Sequence, residues 1–344
     1  MNYKQIKVNG GVKSFKVREN SEFILTNEGL YLQGKKIDER VETFSLSNDR
    51  LIFVKGDTTF LFKKSGVEFI KETQVNKTVI YQSVSKNDAV FTSELNLDDF
   101  TLRYEMVEFG TRDTAFEFGR LPISVGIYRN DNVVFLYLEH KLTCFKLYNQ
   151  RSVWEAELEN RVKIEKIINV YQHQLLIACS DHLLLSVDVN TGEILHKWKE
   201  LSGFEEGQYK GFLPEPADFV LDKEAGNLIG VFSKYYFEID LASGEINYAD
   251  IRQELNTHHI NSFRRMGDNP FTKDHLFVTA HADLDERPNV DLDCVLALNR
   301  NTKRVDWMHI FKDTGLGTNV PQITSTHLYQ LDTEKNLYVF ERTD

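Results

Sequence analysis

The feature that most restricts the fold is a recurring order of short apolar strands separated by turn residues. One unit places strand-like runs at 174–179, 182–188 and 193–198, with Asn190, Thr191 and Gly192 turning the chain before the last. The next repeats the order at 227–232, 235–240 and 245–248 around Ala242, Ser243 and Gly244. Another runs 275–278, 293–298 and 303–307 around Asn301 and Thr302, and an earlier copy runs 133–137, 141–147 and 152–154. With Val134, Leu176, Leu228, Leu276 and Leu328 as equivalent positions, the copies lie 42, 52, 48 and 52 residues apart. That period belongs to propeller blades and excludes helical solenoids. Glycine in the hairpin turns supplies the positive φ they need, while Val, Ile, Leu and Tyr suit a pleated, buried sheet.

The repeat predicts an all-β chain, a β-propeller of four-stranded antiparallel blades. More degenerate hairpins stand upstream at 22–26 with 29–33, 50–54 with 59–62, and 89–92 with 100–104. The hairpins number eight, but the first two start about 29 residues apart, which is tight for a whole blade. Seven blades is the expected count and eight the alternative. The last unit, 327–332 and 336–341, stops before a fourth strand, and the chain begins with a single strand at 3–8. The two ends are expected to share one blade, so that no sheet edge is left open. No Pro-, Gly- or Ser-rich linker interrupts the pattern, and residues 1–344 read as one domain. A single helical turn is expected near 250–255.

Composition narrows the function. Hydrophobic residues at 41% supply a large core, and 27% charged residues is too few for disorder. The beginning alternates polar and apolar residues without an apolar h-region, and no run approaches the roughly 18 apolar residues of a bilayer span. Cys144, Cys179 and Cys294 are odd in number and far apart, which fits a reducing compartment. A cytoplasmic protein is expected. The formal net charge of −11 disfavours nucleic acid or an anionic membrane as partner and favours a protein with a basic surface.

The stretches 187–192 and 297–307, the second ending in Trp307, resemble the repeat of quinoprotein (PQQ-like) propellers, in which a tryptophan locks one blade to the next. Trp198 falls two positions later than that pattern, which weakens the docking analogy for its blade. Quinoprotein enzymes also carry adjacent cysteines over the cofactor and are exported. The absence of both features here excludes quinone-dependent dehydrogenase activity, and no cofactor is expected. The ending 328–342 resembles, more loosely, cytoplasmic propeller-like immunity proteins encoded beside secreted bacterial toxins.

Long loops fall at 108–122, 202–216, 250–261, 281–293 and 313–321. Strand alternation puts them all on one face, and loops on a rigid scaffold commonly carry binding. Two of them are acidic. Glu205, Glu206 and Glu215 outnumber Lys210, while Asp283, Asp285, Glu286, Asp291 and Asp293 outnumber Arg287, for a formal −6. Such a face speeds and orients encounter with a basic partner. Phe204, Tyr209, Phe212 and Leu284 lie among the carboxylates as candidate apolar anchors. The partner-binding set is therefore Glu205, Glu206, Tyr209, Phe212, Asp283, Leu284, Asp285, Glu286, Asp291 and Asp293.

Calcium would suit the oxygens of residues 283–293, but the Asp-x-Asp-x-Asp-Gly frame is missing. His258 and His259 point opposite ways on an extended segment and so would not share one ion with His281. No metal and no catalytic residue is expected. The expected function is a non-catalytic protein-binding propeller, an immunity protein neutralising a cognate toxin such as a basic nuclease. The alternative is an enzyme or sensor holding a carbohydrate or other small polar ligand in the central funnel.

Overall fold

A computed structural model describes residues 1–343 except 20, 47–49, 57, 66–67, 76–88, 97–100, 109–113, 123, 131–132, 147–150, 160–161, 266 and 285–286. It is an all-β propeller fold. Seven four-stranded antiparallel sheets serve as blades, and an eighth sheet, over 89–122, has three strands among the described residues. The first blade compresses four strands into 12–38, with strands of only three residues at Leu30–Leu32 and four at Lys35–Asp38. The close spacing of the first two hairpins is therefore compatible with a whole blade. As expected, the N-terminal strand Tyr3–Asn9 completes the last sheet by pairing antiparallel with Leu337–Arg342.

The chain packs as two compact units, Met1–Glu22 with Glu165–Val187 and Ile194–Asp344, and Phe23–Ile164 with Asp188–Glu193. In the first, Gln174–Cys179 is buried at every position, as a strand covered on both faces must be. In the second, Phe23, Leu25, Leu30, Val41, Phe44, Leu51 and Phe53 form a core, on which Phe60 and Phe62 stack with centroids 5.1 Å from Phe53.

All three tryptophans perform one task. Each sits on the outermost strand of its sheet and donates its indole N–H to a backbone carbonyl of another. Trp154 reaches Val189 at 2.8 Å, Trp198 reaches Gly244 at 2.8 Å and Trp307 reaches Tyr3 at 3.0 Å. Trp198 thus docks although its sequence position departs from the pattern. The receiving turns are built alike. Asp188 accepts the N–H of Asn190 and Thr191, and Asp240 accepts those of Ala242 and Ser243. Gly192 and Gly244 then take φ of +78° and +76°, where a Cβ is strained. A Cβ on Gly192 would also stand 2.8 Å from the Trp154 ring.

Between the sheets 220–250 and 260–310 a buried ion pair takes the place of a tryptophan. Arg300, at the turn of the second sheet, lies 2.8 Å from Asp222 of the first, and both side chains are under one-tenth exposed. Arg300 also donates to Thr272 O at 2.9 Å. Asp222 additionally accepts the N–H of Glu224 and Ala225.

Two outcomes follow for equilibrium unfolding. Gly192→Ala should cost at least about 1 kcal/mol through the left-handed backbone alone, and more as Trp154 is displaced. Arg300→Ala should cost about 3–5 kcal/mol, the penalty for leaving a buried carboxylate unpaired. Denaturant titration of each variant against the parent measures both.

Candidate functional site

The longest hairpin in the described chain, His275–Leu284 with Arg287–Asn299, is flanked by Ile260–Phe263 and Val305–Ile310. The flanking strands pair only as far as Ala282 and Cys294, so the hairpin runs beyond them as two strands. Residues 281–293, expected as a loop, are therefore mostly strand. Period-2 alternation produces this. Ala280, Ala282 and Cys294 face one apolar core, while Phe277 and Val295 face another. On that second face the side chains turn polar toward the hairpin tip, through Thr279, His281 and Asp283.

The acidic residues of this face have specific partners. Asp293 is 13% exposed and lies 3.2 Å from the Arg264 guanidinium and 3.3 Å from His281 Nδ1. It also accepts the Leu316 N–H, and Arg264 donates in turn to Gly317 O. Asp293 is thus an internal anchor of the loop expected at 313–321. Asp283 and Asp291 share one neutral donor, the Asn261 amide, at 3.0 and 2.8 Å. Leu284 pairs with Arg287 near the hairpin tip. Asp285 and Glu286 lie outside the described residues.

The segment 202–216 contains a 3-10 turn at Gly207–Tyr209 and leads into another at Pro216–Asp218. Glu205 pairs with Lys210 at 2.7 Å in the open. Glu206 accepts from Ser233 Oγ at 2.7 Å and lies 3.5 Å from Arg252. Two of the expected apolar anchors are core residues instead. Phe204 packs edge-on against Tyr235, Phe237 and Tyr248, and Tyr209 is buried against Phe232 while its hydroxyl bonds Glu215. Burying these rings folds the loop back onto its own sheet. Phe212 is half-buried and stacks on His182 with centroids 5.6 Å apart. The segment 108–122 is strand over Thr114–Pro122, and residues 109–113 lie outside the described residues. The helical turn expected at 250–255 is the helix Arg252–Thr257.

Sequence reasoning missed a second charged cluster. Lys166 lies 3.0 Å from Asp268, and Arg265 pairs with Glu215 and lies 3.6 Å from Asp218. Burial pushes the Asp218 carboxyl above the ordinary carboxylate range. These residues come from the strand Ile164–Tyr171 and two connecting segments, and they share no spacing that would have revealed them. The histidines stay apart, with His258 beside Glu254 at 3.3 Å and His281 beside Asp293. Among the described residues no three His, Cys, Asp or Glu side chains group as metal ligands would. No helix among them is long and apolar enough to cross a membrane.

Cys144, Cys179 and Cys294 are unpaired and buried, and burial pushes each thiol up to about 12. A thiol held protonated is a poor nucleophile. The folded protein should leave a disulfide reagent unreacted at pH 8, and three equivalents should react once it is unfolded in guanidinium.

No family model matches the chain, and no curated protein matches it in sequence. Solved structures do resemble it. BamB from Moraxella catarrhalis aligns over 100% of this chain and 98% of its own, with 10% identity and a TM-score of 0.59. The computationally designed protein Ika8 covers 98% of each chain, with 10% identity and a TM-score of 0.60. Sqt1 from Saccharomyces cerevisiae covers 99% of this chain and 98% of its own, with 11% identity and a TM-score of 0.57. At such identities the likeness is one of fold alone, and the fold it supports along the whole chain is the β-propeller.

Proposed function

We propose that the chain is a protein-binding propeller that docks a basic protein on the surface running from Glu206 to Asp291. Contacts connect that surface. Glu206 meets Arg252 at the start of the helix Arg252–Thr257. Beyond the helix, His259 O accepts the Asp283 N–H at 2.8 Å, and Asn261 joins Asp283 to Asp291.

The observation that carries the reading is the state of Asp283 and Asp291. Most acids nearby already have cationic partners: Glu205 has Lys210, Glu206 has Arg252 and Asp293 has Arg264. Asp283 and Asp291 share only a neutral amide among the described residues, so their charge is uncompensated. Asp291 is exposed and Asp283 half-exposed. Two such carboxylates on a sheet attract a cationic surface, fix its orientation and speed its arrival.

The sharper form of the reading comes from the C-terminal resemblance to immunity proteins. The basic protein is then a cognate toxin, such as a nuclease, whose active site the acidic surface covers. Three unpaired thiols support a place in a reducing compartment.

Binding of the purified chain to the product of a neighbouring toxin gene tests this at low and moderate salt. Asp283→Asn with Asp291→Asn should weaken it at least about tenfold, mainly through the association rate and less so as salt rises. Glu205→Gln, which removes an already paired exposed charge, should change it little. Equal loss in both variants would remove the special role of Asp283 and Asp291, and no binding to any such toxin would remove the immunity reading.

A further inference from the structure

The seam between the sheet 260–310 and the last sheet is built of aromatic rings, and one of them is a histidine. Period-2 alternation puts Trp307, His309 and Phe311 on one face of the strand Val305–Ile310 and its continuation. Their cross-strand neighbours Ala297 and Val295 belong to the apolar core on that face. The last sheet meets this row with rings of its own. Between centroids, Trp307 lies 5.1 Å from Tyr3 and 5.2 Å from Phe340. His309 lies 4.9 Å from Phe340 and 6.3 Å from Tyr338, and Phe311 lies 4.9 Å from Tyr338. His309 also meets Phe311 edge to face at 4.8 Å. A half-buried imidazole thus stands in the middle of a row whose other members are Trp, Phe and Tyr.

A neutral imidazole suits that place because it packs as a flat ring. An imidazolium does not. It brings a full charge and two N–H donors, and aromatic faces attract the charge without supplying the oxygens that water would. The charged groups around the ring are engaged elsewhere. On the strand Arg287–Asn299, Asp293 serves Arg264 and His281. On the opposite face of its own strand, Asp306 pairs with His275, and beyond Phe311 the side chain of Lys312 is exposed. On the last sheet, the Tyr338 hydroxyl donates to Asp332 at 3.4 Å, and Asp313 and Glu334 act on that same tyrosine. The strand that carries Tyr338 and Phe340 ends in Arg342, itself a cation. Burial therefore pushes the His309 imidazole below the ordinary histidine value of 6.5.

We propose that His309 is a proton-operated latch on this seam: uptake of a proton by its imidazole loosens the last sheet, and the strand Tyr3–Asn9 with it, from the sheet 260–310. A base whose pKa is lower in the folded chain than in the unfolded one contributes stability that is fully present above 6.5 and is lost as the pH falls from there through the folded value. The loss falls on the last sheet because His309 shares Phe340 with Trp307, whose indole donates to Tyr3 O at 3.0 Å. The strand Tyr3–Asn9 is held on its other side by Leu337–Arg342, which carries both Tyr338 and Phe340. The latch acts on the fold and does not depend on the docking of a partner.

Hydrogen–deuterium exchange of the full chain tests this, read by mass spectrometry at about pH 7.5 and about pH 5.5 and corrected for the intrinsic pH dependence of exchange. In the parent, the amides of Tyr3–Asn9 and Leu337–Arg342 should lose protection at the lower pH, while those of Gln174–Cys179 keep theirs. His309→Phe, which keeps a flat ring and removes the titration, should abolish that loss, and far-ultraviolet circular dichroism confirms that the variant folds. The parent decides the matter by itself if the variant does not fold. Nuclear magnetic resonance of carbon-13-labelled histidine, with His309 assigned through its contacts to Phe311 and Phe340, should show the ring titrating below 6.5 over the same pH range as the loss of protection. Unchanged protection in the parent, a loss that persists in folded His309→Phe, or an imidazole that titrates at or above 6.5 each overturns the latch.

Discussion

Everything in this molecule depends on how one four-stranded sheet is fastened to another. An inner strand such as Gln174–Cys179 is buried on both faces, so its blade is not stable until its neighbours cover it. Hydrophobic contact supplies most of that stability but is indifferent to small slips between sheets. The tryptophans remove the indifference. An indole buries a large apolar area and offers one directional donor, and in all three cases the donor meets a backbone carbonyl of another sheet. The Asp-initiated turns that receive Trp154 and Trp198 hold their shape through side-chain acceptors and a left-handed glycine. The partner of each lock is thus formed locally, before the sheets meet.

Where no tryptophan is present, other chemistry takes over. Arg300 and Asp222 bring two charges out of water, which costs more than burying an indole and is recovered only with several hydrogen bonds in place. Asp222 meets that need by accepting two turn N–H groups, and Arg300 by donating to backbone carbonyls. Gln322 fastens the strand Val12–Arg18 in the same spirit, accepting the Val17 N–H and donating to Phe15 O. Apolar and polar fasteners fail under different conditions. An indole lock weakens with lost packing, whereas an ionic one fails when either partner is deleted and the other is left unpaired.

The blades were legible in the sequence because their information is local. Strand alternation, the Asp-x-x-x-Gly turns, the single strand at the start and the missing fourth strand at the end all fall within windows of a few residues. The site was less legible, for a physical reason. Charge counted along a segment takes no account of tertiary partners, and Asp293 is neutralised by Arg264, some thirty residues upstream and two strands away. Phe204 and Tyr209 looked like anchors among carboxylates, but composition does not say whether a loop folds outward or back over its own sheet. Residues 281–293 were read as loop because acidic residues masked their alternation. Ala280, Ala282 and Cys294 already marked the buried face.

Strand register explains why the functional candidates gather on the sheet 260–310. A strand face covered by a neighbouring sheet must be apolar, and Phe277, Val295 and Ala297 obey this rule. The same face turns polar toward the hairpin tip, first at the buried Thr279 and then at the partly exposed His281 and Asp283. Extending a hairpin past its neighbours therefore presents side chains whose backbone positions are set by strand pairing. Such side chains lose little conformational freedom when they engage a partner. A loop carrying the same residues would have to be ordered at each encounter. The neutral Asn261 amide between Asp283 and Asp291 serves the same end, holding two carboxylates in place without cancelling their charge.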